Sequence, residues 1–203
     1  MKNIIKIIIL TISLNCYSQT QIIDIMGDDG SAITNAYYKD VNNLLNTFEG
    51  TWIYSNGNTS LKIIIVKKVQ QYNGRYYEDL IIGEYEYQVN GIMKISTLNK
   101  LNNNYSNQRS HSISGNSIIN NNNNNRPICN DCIANEKRLR TGFEDPLRDS
   151  YGTMILKKTT HLGIEAIQIK IRLSGYGTPW IDGQPQPPTD FTVPAGEYIL
   201  IKQ

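Results

Sequence analysis

Apolar and polar residues alternate along most of this chain in short runs broken by Asn and Gly, a period of two that predicts strands. The clearest run is 163–173. Ile167, Ile169, Ile171 and Leu173 fall on one side of it, and Ala166, Gln168, Lys170 and Arg172 on the other. Four earlier runs, 51–56, 61–70, 76–89 and 92–101, are joined at Asn56-Gly57-Asn58, Tyr72-Asn73-Gly74-Arg75 and Asn90-Gly91. Asn-Gly readily adopts the positive φ of a two-residue hairpin turn. Four runs joined this way predict an antiparallel meander, because parallel pairing needs long crossovers. Within 76–89, Glu84, Glu86 and Gln88 alternate with Tyr85, Tyr87 and Val89, which predicts one wet and one covered face. Met154-Ile155-Leu156 marks a later strand, and 191–193 and 197–202 mark two last pieces around Pro194-Ala195-Gly196.

One stretch has a different period. Ile33, Tyr37, Val41, Leu44, Leu45 and Phe48 recur at helical spacing after Ser31, a residue suited to an N-cap. They predict one N-terminal helix over 32–48, packed against or plugging one end of a barrel. Before it, 22–26 is expected as a short strand or ordered arm. Asp28-Asp29-Gly30 lacks the alternating ligands that complete a calcium loop. Residues 102–125 are polar and Asn-rich, which predicts a loop in which Ile113 and Ile118-Ile119 mark no more than an irregular hairpin. The charged run 136–140 reads as solvated. Residues 178–189 hold Pro179, Pro185, Pro187 and Pro188 and read as an irregular loop carrying Trp180.

The first residues bear on the fate of the chain. Lys2 and Lys6 lead into an apolar run, and Asn15-Cys16-Tyr17-Ser18 follows, the layout of a secretory signal. The run is shorter than the roughly 20 residues a bilayer span needs. Residues 1–18 are therefore expected to be removed, leaving 19–203 as a single barrel-like domain with its Asn-rich loop at 102–125. Acylation at Cys16 is the lesser alternative, since Asn15 stands where a lipoprotein signal has a small residue. Removing Lys2 and Lys6 takes the formal charge from +2 to near zero. A neutral chain has no general attraction for nucleic acid. The expected location is the periplasm or the exterior.

Phe48-Glu49-Gly50-Thr51-Trp52 stands at the mouth of the first long strand. Its Gly-x-Trp resembles the opening motif of lipocalin and lipocalin-like barrels. With Tyr17-Ser18-Gln19 at the end of the leader and Gly196-Glu197-Tyr198 opening the last strand, the layout also resembles an uncharacterised family of exported proteins from flavobacteria-like organisms. The resemblance implies an all-β fold, an antiparallel lipocalin-like barrel or strongly curved meander sheet, and no activity. In lipocalins a basic residue on the last barrel strand packs on the Trp. Lys202 and Arg172 are the residues here that fit that role.

Candidate chemistry is sparse. His111 and His161 have no nucleophile or zinc-enzyme context, so no catalytic residue, metal or cofactor is assigned and an enzyme is not expected. Cys129-Asn130-Asp131-Cys132 suits a disulfide in an oxidising compartment, half a zinc site or a redox pair, and the disulfide leads. Tyr76, Tyr85 and Tyr87, with Trp180, are the ligand-binding candidates. Gly50, Trp52, Cys129 and Cys132 are the structural ones. Two functions are expected: a barrel enclosing a small apolar ligand, or a filled barrel contacting an envelope protein or glycan.

Overall fold

Each hairpin signal of the first half produces an antiparallel pair. The computed structural model describes residues 20–27, 30–120, 129–177, 182–183 and 190–203. Its strands are β1 (Ile22–Asp24), β2 (Tyr37–Lys39), β3 (Gly50–Asn56), β4 (Thr59–Tyr72), β5 (Tyr77–Val89) and β6 (Ile92–Ser96), followed by β7 (Ile113–Asn120), β8 (Lys137–Asp145), β9 (Ser150–His161), β10 (Ile164–Tyr176) and β11 (Gly196–Lys202). The predicted meander is β3–β4–β5–β6, antiparallel throughout. Asn90 and Gly91 both have positive φ, 54° and 71°, as a two-residue hairpin requires.

Eight strands close into an antiparallel barrel in the order β3-β4-β5-β7-β8-β9-β10-β11. The ring closes where β11 returns to β3, with Ile201 opposite Ile53 and Lys202 opposite Trp52. It also closes where β7 meets β5 through Ile81 to Gly83. Every barrel strand neighbours its sequence neighbour, apart from the β5–β6 hairpin, which branches off the ring. This up-and-down order is the lipocalin arrangement. β1 and β2 lie outside it and pair in parallel, β2 adding to the free edge at the start of β5.

The inward positions are filled. Trp52, Leu61, Ile63, Tyr85, Leu139, Phe143, Met154, Leu156, Ile167, Ile169 and Leu200 are all 0 % accessible, so no space as large as a water lies against them. One end is stopped by Leu45 and Phe48, the other by Phe191 and Val193 from the segment before β11. Gly152 makes room for that second plug: a Cβ there would lie 2.8 Å from Phe191 Cζ and 2.0 Å from the Arg172 carbonyl oxygen.

The predicted N-terminal helix is corrected. Among the described residues there is no α-helix; 32–48 folds as β2 and a 3-10 turn at Leu45–Phe48. Ala32, Asn35 and Asn43 have positive φ, which a helix does not accommodate. Tertiary hydrogen bonds replace the helical ladder. Asp79, on β5, accepts from the Asp40 amide and the Tyr37 hydroxyl, and Asp40 accepts from the amides of Leu44 and Leu45. The helical-looking stripe splits accordingly: Leu45 and Phe48 are buried, while Ile33 and Val41 are exposed.

Four further expectations change. The strand over 92–101 stops at Ser96 and gives way to a 3-10 turn, Leu98–Lys100. The Asn-rich segment 102–125 contains β7, a barrel strand, as well as the 3-10 turn Gln108–Ser110. The run 136–140 enters β8, with Arg138 buried rather than solvated. Residues 191–193 belong to no strand, though Phe191 and Val193 are core residues. Residues 1–18 with Cys16, Asp28-Asp29, most of the 178–189 loop including Trp180, and the Asn run at 121–125 lie outside the described residues. Among the described residues, no helix is long and apolar enough to cross a membrane.

Candidate functional site

Trp52 enters the barrel where the N-terminal segment meets β3, and its Nε1 donates to the Phe48 carbonyl oxygen at 2.9 Å. Lys158 and Lys202 place their Nζ atoms 5.0 and 5.3 Å from the ring centroid, within cation–π range. Lys202 therefore takes the role that the lipocalin resemblance left between Lys202 and Arg172. Glu165 accepts from both lysines, which holds its carboxyl below the ordinary carboxylate range. Gly50, at φ 132°, keeps this passage open: a Cβ there would lie 3.2 Å from Lys202 Cε.

The tyrosine candidates separate. Tyr85 is a core residue: it stacks on Phe143, and its hydroxyl donates to the Glu144 carbonyl oxygen at 3.0 Å. Burial pushes its phenol far above the ordinary tyrosine range. Tyr76 precedes β5, at the same end of the barrel as Trp52, and packs on Tyr38 with ring centroids 4.6 Å apart. Tyr87 is near the far end of β5, where burial and the neighbouring Tyr54 raise its phenol. Tyr198 stands edge-on to Tyr54 at 5.1 Å. The crowded stretch thus serves three places, and Tyr54 and Tyr198, far off in sequence, join Tyr87. Cys129 and Cys132 are joined by a disulfide, with Cα atoms 5.3 Å apart.

The outer face of β5 is not wet. Residues 97–112 cross it as a strap, and Glu84, expected in solvent, is buried, as is His111, expected at the surface. His111 Nδ1 and Glu84 Oε1 are 2.9 Å apart with both side chains 0 % exposed, and Tyr105 packs edge-on to the imidazole. Arg109 fixes the same strap through two hydrogen bonds to Glu78. A carboxylate beside an imidazole is the chemistry of a general base; here both are buried, and the pair joins the strap to β5. Glu84 and His111 lie 27 residues apart, one on β5 and the other in the Asn-rich segment, so no local signal announces them.

The other outer wall carries a different arrangement. Arg138 on β8 stands opposite Lys157 on β9, which stands opposite Gln168 on β10. In the next row Arg140 faces Ile155, Ile155 faces Lys170, and Lys170 faces Glu197 on β11. The disulfide loop folds over these rows, and Asp131 accepts from Lys157 Nζ at 2.7 Å. That bond holds the Asp131 carboxyl below its ordinary range. Between loop and wall lies a cavity of about 200 Å³ lined by Asn130, Asp131, Arg138, Ile155, Lys157 and Lys170, among others. Burial pulls the Arg138 guanidinium below its ordinary pKa, while Glu136 and Asp131 act to raise it. A second cavity, of about 310 Å³, lies along the same wall at the β7 bulge, between Arg109, Asn116, Arg140 and Thr153. Cys129, Asp131 and Cys132 also bring ligand-type atoms within 4.8 Å of one another, but the disulfide engages both sulfurs. Sequence patterning marked Gln168, Lys170 and Arg172 as one face without indicating that Arg138 and Lys157 extend it.

A closed eight-stranded up-and-down barrel, entered at Gly-x-Trp and with a last-strand lysine on that Trp, defines the class: a lipocalin-like barrel. The chain belongs to the family described as Family of unknown function (DUF6705), whose model matches residues 1–203. No curated protein and no solved structure matches it.

Proposed function

We propose that this protein is exported and works as a recognition module, a filled barrel that binds an envelope glycan on its outer wall. The observation that carries this reading is the packed interior: among the described residues eleven inward side chains are 0 % accessible, with Leu45 and Phe48 at one end and Phe191 and Val193 at the other, which supports a filled barrel over one that encloses a lipophile. The two cavities described above open instead on the outside, among polar and charged side chains. A lipid-facing barrel wall would carry an apolar band outward. Arg138, Arg140, Lys157, Lys170 and Arg172 occupy outward positions of β8–β10, which supports a wall in water. The leader-like residues 1–18 support export. No catalytic role is assigned.

A second reading has one observation in its favour. Tyr54, Tyr87 and Tyr198 gather at the end of the barrel far from Trp52, and Tyr54 and Tyr198 are only partly covered. Such a cluster suits a flat apolar ligand seated shallowly at the mouth. A Trp180→Phe variant leaves Trp52 as the sole indole, so a ligand inside the barrel would change its emission. Calorimetric titration of that variant with a lipophile panel, followed also by Trp52 emission, beside a glycan array with the parent protein, separates the readings: lipophile binding that leaves Trp52 emission unchanged favours the mouth. Glycan binding with unchanged Trp52 emission is expected. Stoichiometric lipophile binding that alters Trp52 emission would overturn the filled-barrel reading.

A further inference from the structure

Lys67, Asn46 and Asp40 meet where the 3-10 turn Leu45–Phe48 docks on β4. Lys67 follows Leu61, Ile63 and Ile65 at the inward positions of β4, where the alternation calls for an apolar residue. Its side chain is 10 % exposed and that of Asp40 0 %. Burying an ion pair often costs more than it returns, so stability alone does not call for a lysine here. The amine, amide and carboxylate are held by backbone. Asp40 accepts from the amides of Leu44 and Leu45 at 2.8 and 2.9 Å, and the Lys67 amide donates to Glu49 Oε1 at 2.7 Å. Lys67 Nζ lies 2.9 Å from Asp40 Oδ2 and 2.6 Å from Asn46 Oδ1. The Asn46 Cγ is one C=O bond, about 1.2 Å, from that oxygen, so Nζ and Cγ are less than about 3.8 Å apart, close to a near-attack pair.

We propose that Lys67 and Asn46 join spontaneously in an isopeptide bond, with Asp40 moving the proton. A lysine amine is a nucleophile once an adjacent base takes its proton. Asp40 Oδ2 takes one proton from the Lys67 ammonium, and the freed amine adds to Asn46 Cγ. The Cγ–Nδ2 bond then breaks. Asp40 returns its proton to the departing nitrogen, and the second proton shed by Nζ leaves with it. One ammonium ion is released for each Nζ–Cγ bond formed, with no oxidant, reductant or co-reactant. Asn46 is exposed, so the released nitrogen has a way into water. The one hydrogen left on Nζ still donates to Asp40, whose amide donors from Leu44 and Leu45 are untouched. The product is a covalent clamp. It ties the turn that carries Leu45 and Phe48, the stop at this end of the barrel, to the inner side of β4.

The test is mass spectrometry of the folded full chain after prolonged incubation at neutral pH, followed by tryptic mapping under reducing conditions. The chain is expected to be lighter by one ammonia, and the peptides holding Asn46 and Lys67 are expected as one branched species, uncut after Lys67. The branched peptide decides the matter, because succinimide formation at Asn-Gly or cyclisation of an N-terminal Gln also loses ammonia but joins no two peptides. Lys67→Arg keeps a cation against Asp40 and Asn46 and should give no branched peptide. Asn46→Ser removes the acyl carbon and should give none either. Asp40→Asn should slow the reaction roughly 100-fold or more, the scale of a lost general base. If Asp40→Asn does not fold, the maps of the parent and of Lys67→Arg still decide. A folded parent whose Asn46 and Lys67 peptides remain separate overturns the cross-link, whatever ammonia is lost elsewhere. A branched peptide that forms at the parental rate in folded Asp40→Asn overturns the role given to Asp40.

Discussion

Replacing Trp52 by Ala is the most informative single perturbation of the fold. The side chain is 0 % accessible, so its whole apolar surface and a cavity are at stake. Truncation of a buried Trp costs about 3–5 kcal/mol. The Phe48 carbonyl oxygen loses its donor, adding about 1 kcal/mol. The cation–π contacts of Lys158 and Lys202 also go, but both side chains are 34 % exposed, so they add at most about 0.5 kcal/mol each. The expected loss is about 4–7 kcal/mol, against a typical total of about 5–15 kcal/mol. In urea, with m near 2 kcal/mol/M, the midpoint should fall by about 2–3.5 M. Trp52→Phe retains most of the ring and loses the Nε1 bond, so about 1–2 kcal/mol is expected. A Trp52→Ala variant within about 1 kcal/mol of the parent, or a Phe variant as damaged as the Ala variant, would refute the argument.

Three further perturbations follow from buried or bridged groups. Glu84→Leu or His111→Leu alone should cost about 1–3 kcal/mol by leaving a buried polar partner without its hydrogen bond; Glu84→Leu with His111→Leu should recover much of it, a double-mutant cycle read by urea unfolding. Burial, with Tyr87 and Tyr54 nearby, pushes the Tyr198 phenol up to about 12 from 10.0; the unfolded chain ionises first, so stability should hold below pH 10, fall as pH rises from about 10 to 12, and fall less in Tyr198→Phe. Joint Cys129→Ser and Cys132→Ser replacement opens a ring too short to restrain much chain entropy, so at most about 2 kcal/mol should be lost, with mass spectrometry confirming that the parent has no free thiol at these positions.

The local turns and strands were legible in the chain because their causes are local. Asn90-Gly91 can take two positive φ values, and the alternation over 163–173 can bury Ile167, Ile169 and Ile171 only as a strand. Trp52 could be placed for a similar reason: Gly50 and the strand after it are adjacent to it in sequence. The segment 32–48 misled because its apolar spacing satisfies a helix locally. The hydrogen bonds that decide it come from Asp79, on a strand formed by later residues.

The same non-locality hid β7, the Glu84–His111 pair and the outer groove. β7 is polar and Asn-flanked, and it becomes a strand because β5 and β8 offer ladders on either side. Glu84 looked solvated because alternation reports two faces but not what a distant strap will cover. Arg138 and Lys157 meet only through the register of β8 on β9, and the disulfide loop meets both only after the barrel closes. The sequence by itself determined the strands, their turns and the anchoring Trp, whose determinants lie within a few residues of one another. Tertiary structure alone decided which faces are buried and which charges stand together, because those depend on ladder register and barrel closure between residues far apart in the chain.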